Sequence, residues 1–184
     1  MEVEAIRKLW SAGPDGVAHA ARLIDTVIPA AARPAWAADL LAVACSKLPD
    51  VPVSVRAVVA IGRSRRRWWR NRWREAHAAF GTVRDLTLAE DRSHAGGEVY
   101  AAVLAVAEYA AKVIYNASGV AEPVRPGVPA PFDDDCGCHL VGSLWHVVRA
   151  CGSPAFDQQA WATLESWVRK MAPKAEPAAA PDRC

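Results

Sequence analysis

Strand signals are the first thing this sequence lacks. Val, Ile, Tyr and Phe are nowhere gathered into the short apolar-polar alternation of a half-buried strand, and only three Phe and three Tyr occur in 184 residues. That argues against a sheet-rich fold. Long apolar runs are missing as well. The strongest, Val99 to Ala107, falls well short of the roughly 20 residues that cross a bilayer, and Glu108 and Lys112 follow it. No membrane span is expected. The opening Met-Glu-Val-Glu-Ala-Ile is acidic and has neither the basic leader nor the apolar segment of a secretory signal. Five Cys (Cys45, Cys136, Cys138, Cys151 and Cys184) form an odd set without the spacing of a small disulfide scaffold. They read as free thiols in a reducing compartment, so the expected location is cytoplasmic.

A complete catalytic, metal or nucleotide motif is also missing. His19, His77 and His94 stand isolated, and the neighbours Cys138 and His139 point apart on a helix. Gly96-Gly97 has no strand before it and no Lys after it, which argues against a phosphate loop. Asn116-Ala-Ser118 matches a glycosylation sequon by chance in a chain expected to stay inside the cell. No cofactor is expected. Lys is scarce beside Arg, 5 against 17, and with the abundant Ala, Gly and Pro this resembles the drift of a GC-rich bacterial genome.

What is present is helical. Ala supplies 38 of the 184 residues, and 52% hydrophobic with 23% charged residues is the balance of a chain that buries a real core. Ile6, Leu9 and Trp10 edge a first short helix, broken at Gly13-Pro14-Asp15-Gly16. A second helix runs to about Ile28, before Pro29. Pro34 suits the first turn of a third, which carries Trp36, Leu40, Leu41, Ala44 and Leu48. From Ser54 the pattern Val55, Val58, Val59, Ile61 continues toward Arg65, with Gly62 as a break and Ser64 as a cap. Further helices are predicted from Arg65 to Phe80 and, after Gly81, to Asp91, with Ser93 capping the next. Residues 98–118 are apolar nearly all round and so belong at the centre, with Glu108 and Lys112 pairing one turn apart. The Pro-rich loop 119–131, whose Gly119 stops the central helix, separates a C-terminal helical pair, 135–171. In that pair Ser153 is a cap, and Trp145, Trp161 and Trp167 pack the two helices together and onto the rest. The prediction is an all-α single domain, residues 1–171, of about seven to eight helices around the central one, with a disordered tail at 172–184.

Charge is unevenly placed. The net charge is +2, yet Arg56 to Arg84 holds nine Arg and one acid, a net of +8, leaving −6 on the remainder. At about 100° per residue, Trp68, Trp69, Trp73, Ala76, Ala79 and Phe80 share one face of a helix, while Arg66, Arg67, Arg70, Arg74 and His77 share another. On a helix continuous from Ser54, Arg56 and Arg63 join that stripe. Such a stripe is a solvated face over a Trp core, a surface for an acidic protein, or a binder of phosphates.

Asp133-Asp134-Asp135-Cys136-Gly-Cys138-His139, followed by His146, invites a zinc reading. Seven residues at 1.5 Å rise set His139 and His146 about 10 Å apart, which argues against it. The acids serve better as a helix cap and first-turn charges, or as an internal dock for the Arg stripe.

The sequence therefore points to a non-enzymatic protein-binding module, an adaptor or an inhibitor of the immunity-protein kind. Arg63, Arg66, Arg67, Arg70, Arg74 and His77 would meet an acidic surface of the partner. Two other readings stand beside it: a nucleic-acid or anionic-surface binder using the same residues, and a metal-dependent enzyme at residues 133–146 with Cys136, Cys138, His139 and His146. A homodimer is open in each case.

Overall fold

Gly13-Pro14, Pro34 and Ser153-Pro154 open helices where the sequence places them. The computed structural model describes residues 3–64, 72–93, 96–118, 132 and 135–172, and among these it holds eight α-helices and no strand. They are α1 (Val3–Ser11), α2 (Pro14–Val27), α3 (Arg33–Cys45), α4 (Val53–Arg63), α5 (Arg72–Ser93), α6 (Gly97–Ala117), α7 (Cys136–Cys151) and α8 (Pro154–Met171). Gly13 turns α1 into α2 at a φ of 100°, a conformation that favours glycine. Pro14 then opens α2 in its first turn, where a missing N–H costs nothing, and Pro34 does the same in α3. Gly152 ends α7 in the left-handed region, and its N–H reaches the carbonyls of Val148 and Arg149 at 3.1 and 3.2 Å. Directly afterwards the Ser153 hydroxyl caps α8 by accepting the N–H of Phe156 at 3.4 Å.

The long apolar helix lies at the centre. α6 packs against α3, α4, α5 and α7, and one cluster of buried apolar side chains draws residues from all eight helices. α3 shares that centre, which the sequence reading leaves to α6 alone. Trp36, Ala37, Ala38, Leu40, Leu41 and Ala44 are all fully buried, because alanines fill the faces between the large side chains. The helical pair at the C-terminal end docks through its tryptophans. Trp161 sits 6.2 Å from the ring of Trp10 in α1, and Trp167 donates its indole N–H to Asp39 of α3 at 3.2 Å. No described helix is long and apolar enough to cross a membrane.

Three local predictions need correction. The helices expected on either side of Gly81 are one, since α5 runs unbroken to Ser93. A mid-helix Gly costs only about 1 kcal/mol relative to Ala, and Ala76, Ala79, Phe80 and Val83 hold both halves against the same core. Ser93 ends α5 instead of capping α6. The N-cap of α6 is Gly96, whose N–H donates to the carboxylate of buried Glu90 at 2.9 Å. Gly62, read as a break, is inside α4. A Cβ there would lie 2.5 Å from the Pro34 carbonyl oxygen and 2.7 Å from the Ala38 Cβ, so its bareness lets α4 approach α3. Gly119, the Pro-rich loop 119–131 and residues 173–184 of the expected tail lie outside the described residues.

Candidate functional site

The basic stretch spans the junction of α4 and α5. Arg66, Arg67 and Arg70, with Trp68 and Trp69, lie outside the described residues. The rest of the expected stripe divides. Arg63, the last residue of α4, points across to α3, where its Nε and Nη2 donate to Asp39 Oδ1 at 3.0 and 2.9 Å. The other oxygen of Asp39 holds Trp167, so this carboxylate ties α4 and α8 to α3. Arg56 lies 3.8 Å from Asp50, and Arg84 lies 3.5 Å from Glu108. Arg74 is exposed, its guanidinium 5.2 Å from the ring centroid of Trp73. His77 parts from the arginines. It is half-buried, with its ring 5.5 Å from Tyr115 and 6.4 Å from Phe80, so it packs α5 against α6.

On α6 the expected pair forms, with Lys112 Nζ 2.9 Å from Glu108 Oε1. Its setting is absent from the sequence reading. The ammonium lies 4.6 Å from the Tyr109 ring, 5.4 Å from Phe80 and 5.6 Å from Phe132. Phe132 is held there by the Asn116 amide, which donates to its carbonyl at 3.0 Å and accepts its N–H at 2.9 Å. A paired cation among three aromatic faces is stabilising, and it fastens α5, α6 and Phe132 together.

In the segment that invites a zinc reading, Asp135, Cys138, His139 and His146 line one cleft between α2 and α7 without converging as metal ligands. Asp133 and Asp134 lie outside the described residues, while Asp135 holds the N-cap position of α7 without a side-chain capping bond. Cys136 is buried; His139 is exposed and stacks on Tyr109 at 5.0 Å, and His146 meets Trp145 edge-on at 5.4 Å. Among the described residues no three His, Cys, Asp or Glu side chains converge to hold a metal ion. Cys138 lines a cleft of about 430 Å³ between α2 and α7 with Arg22, Tyr109 and Asp135. Burial raises its thiol pKa first, and the charges of Asp25 and Asp135 add to this against Arg22 and Arg33. A thiol held protonated is a poor nucleophile and a poor ligand.

Cys45 and Cys151 share this tendency. Burial pushes the Cys45 thiol from its ordinary 9.0 up to about 11, and it raises Cys151 and Tyr115 too. A raised pKa means that the folded chain keeps a proton the unfolded chain has released. Stability is therefore intact below the ordinary thiol range and falls as pH rises from 9.0 through about 11. Melting curves between pH 8 and pH 11 should show that fall, and Cys45→Ala should flatten part of it; an identical slope in the variant would contradict the assignment to Cys45.

One further surface escapes the sequence reading. α4 and α5 leave an apolar groove between them, lined by Val53, Ala57 and Ile61 on one wall and Ala78, Thr82 and Leu86 on the other. Its signal is present in the sequence. Val53, Ala57 and Ile61 recur one turn apart on a helix whose Val55 and Val58 already supply the core face. No family model, curated protein or solved structure matches the chain.

Proposed function

We propose that this chain is a non-enzymatic protein-binding module, an adaptor or inhibitor that meets an acidic surface of another protein through its Arg-rich stretch. The carrying observation is the net +8 of Arg56 to Arg84 beside −6 on the remainder. A concentration of charge on one region steers an oppositely charged partner and fixes its register. The described arginines keep their capacity for it. Arg56, Arg63 and Arg84 have side chains 58%, 53% and 54% exposed although each has an acid nearby. A guanidinium has five N–H donors, and Arg63 directs only its Nε and Nη2 toward Asp39.

The test is charge reversal. Arg67→Glu, Arg70→Glu and Arg74→Glu together take the stretch from +8 to +2. Nuclease-treated lysate of the native host is passed over wild type and variant, and a protein recovered by wild type alone is purified for titration. The expected result is a loss of affinity on the order of a hundredfold, with helicity and melting temperature unchanged. Undiminished affinity defeats the proposal. If no protein is recovered and a separate titration shows the wild type binding duplex DNA, with log affinity falling linearly against log salt, the phosphate-binding reading replaces it.

A further inference from the structure

The cleft between α2 and α7 combines room for a small molecule with polar groups left without partners among the described residues. It encloses about 430 Å³, whereas a cavity of roughly 150 Å³ already holds a benzene ring. Small residues keep it open. Ala18 and Ala21 line it from α2 and Gly142 from α7, and no atom lies within 4 Å of where a Cβ on Gly142 would stand. Unlike Gly62, then, Gly142 draws no other helix closer, and its bareness serves the cleft. Asp135, His139 and Ser143 follow at successive turns of α7 and all face the cleft, with Arg22 of α2 opposite. Ser143 is 8% exposed, yet its hydroxyl has no hydrogen-bond partner among the described residues. A hydroxyl buried to that degree is normally paired, so its place in the cleft wall marks a position for a ligand atom. Arg22 and Asp135 are exposed, and neither side chain forms an ion pair among the described residues. Both charges act on the Cys138 thiol and so stand at the same end of the cleft, where the neighbouring Asp25 is taken up by Arg33 at 3.2 Å. His139 stacks one face on Tyr109 at 5.0 Å, with the ring planes 18° apart, and keeps the other face open.

We propose that this cleft binds a zwitterionic aromatic α-amino acid of the length of tyrosine. Its carboxylate meets Arg22, its ammonium meets Asp135, its ring continues the stack of Tyr109 and His139, and the polar atom at the far end of the ring meets Ser143. Two free charges of opposite sign select a zwitterion, because a simple anion is repelled by Asp135 and a simple cation by Arg22. Length follows from the helix. Asp135 and Ser143 are eight residues apart, about 12 Å along α7, and both side chains lean toward its N-terminus, so the spacing carries over to their tips. Two hydrogen bonds of about 3 Å leave roughly 6 Å between the polar ends of the ligand, which is close to the separation of amine and hydroxyl across a phenol ring. The site is independent of the protein-binding reading, since among the described residues neither α2 nor α7 packs against α4 or α5.

The probe is L-tyrosine, titrated calorimetrically into the full chain. Three analogues accompany it: tyramine, which lacks the carboxylate, hydroxyphenylpropionate, which lacks the amine, and L-phenylalanine, which lacks the ring hydroxyl. Saturable binding of tyrosine, about tenfold or more weaker for each analogue, is the expected result. Arg22→Gln and Asp135→Asn, both at exposed positions, should each weaken tyrosine by a similar factor. Gly142→Leu places a side chain in the open cleft and should abolish binding with the melting temperature maintained. Ser143→Ala should bind tyrosine no better than phenylalanine, a levelling that a merely structural serine would not produce. Absence of saturable tyrosine binding by the wild type overturns the proposal, as does binding that survives Gly142→Leu. Tyramine bound as tightly as tyrosine overturns it in favour of a cation site, and hydroxyphenylpropionate bound as tightly overturns it in favour of an anion site. If Gly142→Leu lowers the melting temperature, the charge variants decide, and unaltered affinity in both Arg22→Gln and Asp135→Asn overturns it.

Discussion

Trp36→Ala should lower stability by about 3–5 kcal/mol, whereas Trp36→Phe should cost no more than about 1 kcal/mol. The first figure is the cost of emptying a large fully buried site, for Trp36 is 0% exposed in the first turn of α3, a helix that packs against α4, α6, α7 and α8. Such a cavity collapses poorly. The second figure follows from the indole nitrogen. Trp36 Nε1 is buried and donates to no acceptor among the described residues, so the wild type already bears the desolvation of that N–H. Phe removes the unpaired donor along with part of the ring, and the relief offsets much of the lost volume. Urea titration of both variants separates the cases. Equal losses for Ala and Phe would mean that the N–H has a partner and contributes as a hydrogen bond. In melting temperature the Ala variant should fall by roughly 6–20 °C, at about 2–4 °C per kcal/mol for a domain of this size.

Period and punctuation carried most of the architecture into view. α6 reads as central because Val103, Leu104, Val106, Ala107, Val113 and Ile114 leave little polar face, and α3 and α8 begin where Pro34 and Ser153-Pro154 predict. Those are local signals. What stayed hidden depends on distant residues: Glu90 closing the turn into α6, the rings around Lys112, and the Asp39 carboxylate shared by Arg63 and Trp167. None of these pairings has a sequence period. The basic face was legible as charge but not as geometry, because charge counts do not reveal that His77 turns to Tyr115 and Arg63 to Asp39. The apolar groove is hidden in the sequence for a related reason. An apolar residue on a helix reads as core until the packing shows which of two apolar faces the core took, and on α4 it took Val55 and Val58.

Glycine supplies the sharpest contrast between local and tertiary logic, since the same substitution should act with opposite sign at two helical positions. Gly81→Ala should stabilise by about 0.5–1 kcal/mol, because Ala restricts the unfolded chain and favours helix. Nothing lies within 4 Å of the site where its Cβ would stand. Gly62→Ala gains the same propensity term but meets the Pro34 carbonyl oxygen at 2.5 Å, the Ala38 Cβ at 2.7 Å and the Ile114 Cδ1 at 3.0 Å. The first of these is backbone at the start of α3, where Pro34 is itself buried, so relief requires α4 to separate from α3. Overpacking of this kind costs about 1–3 kcal/mol or more, which exceeds the propensity gain and gives a net loss. Separation would also reach the groove, because Ile61 is the neighbour of Gly62 and forms part of its wall. Thermal melts of the two single variants decide the matter. A stabilised Gly62→Ala would mean that α3 and α4 yield easily at their closest approach, and the groove wall built on α4 would then be correspondingly soft.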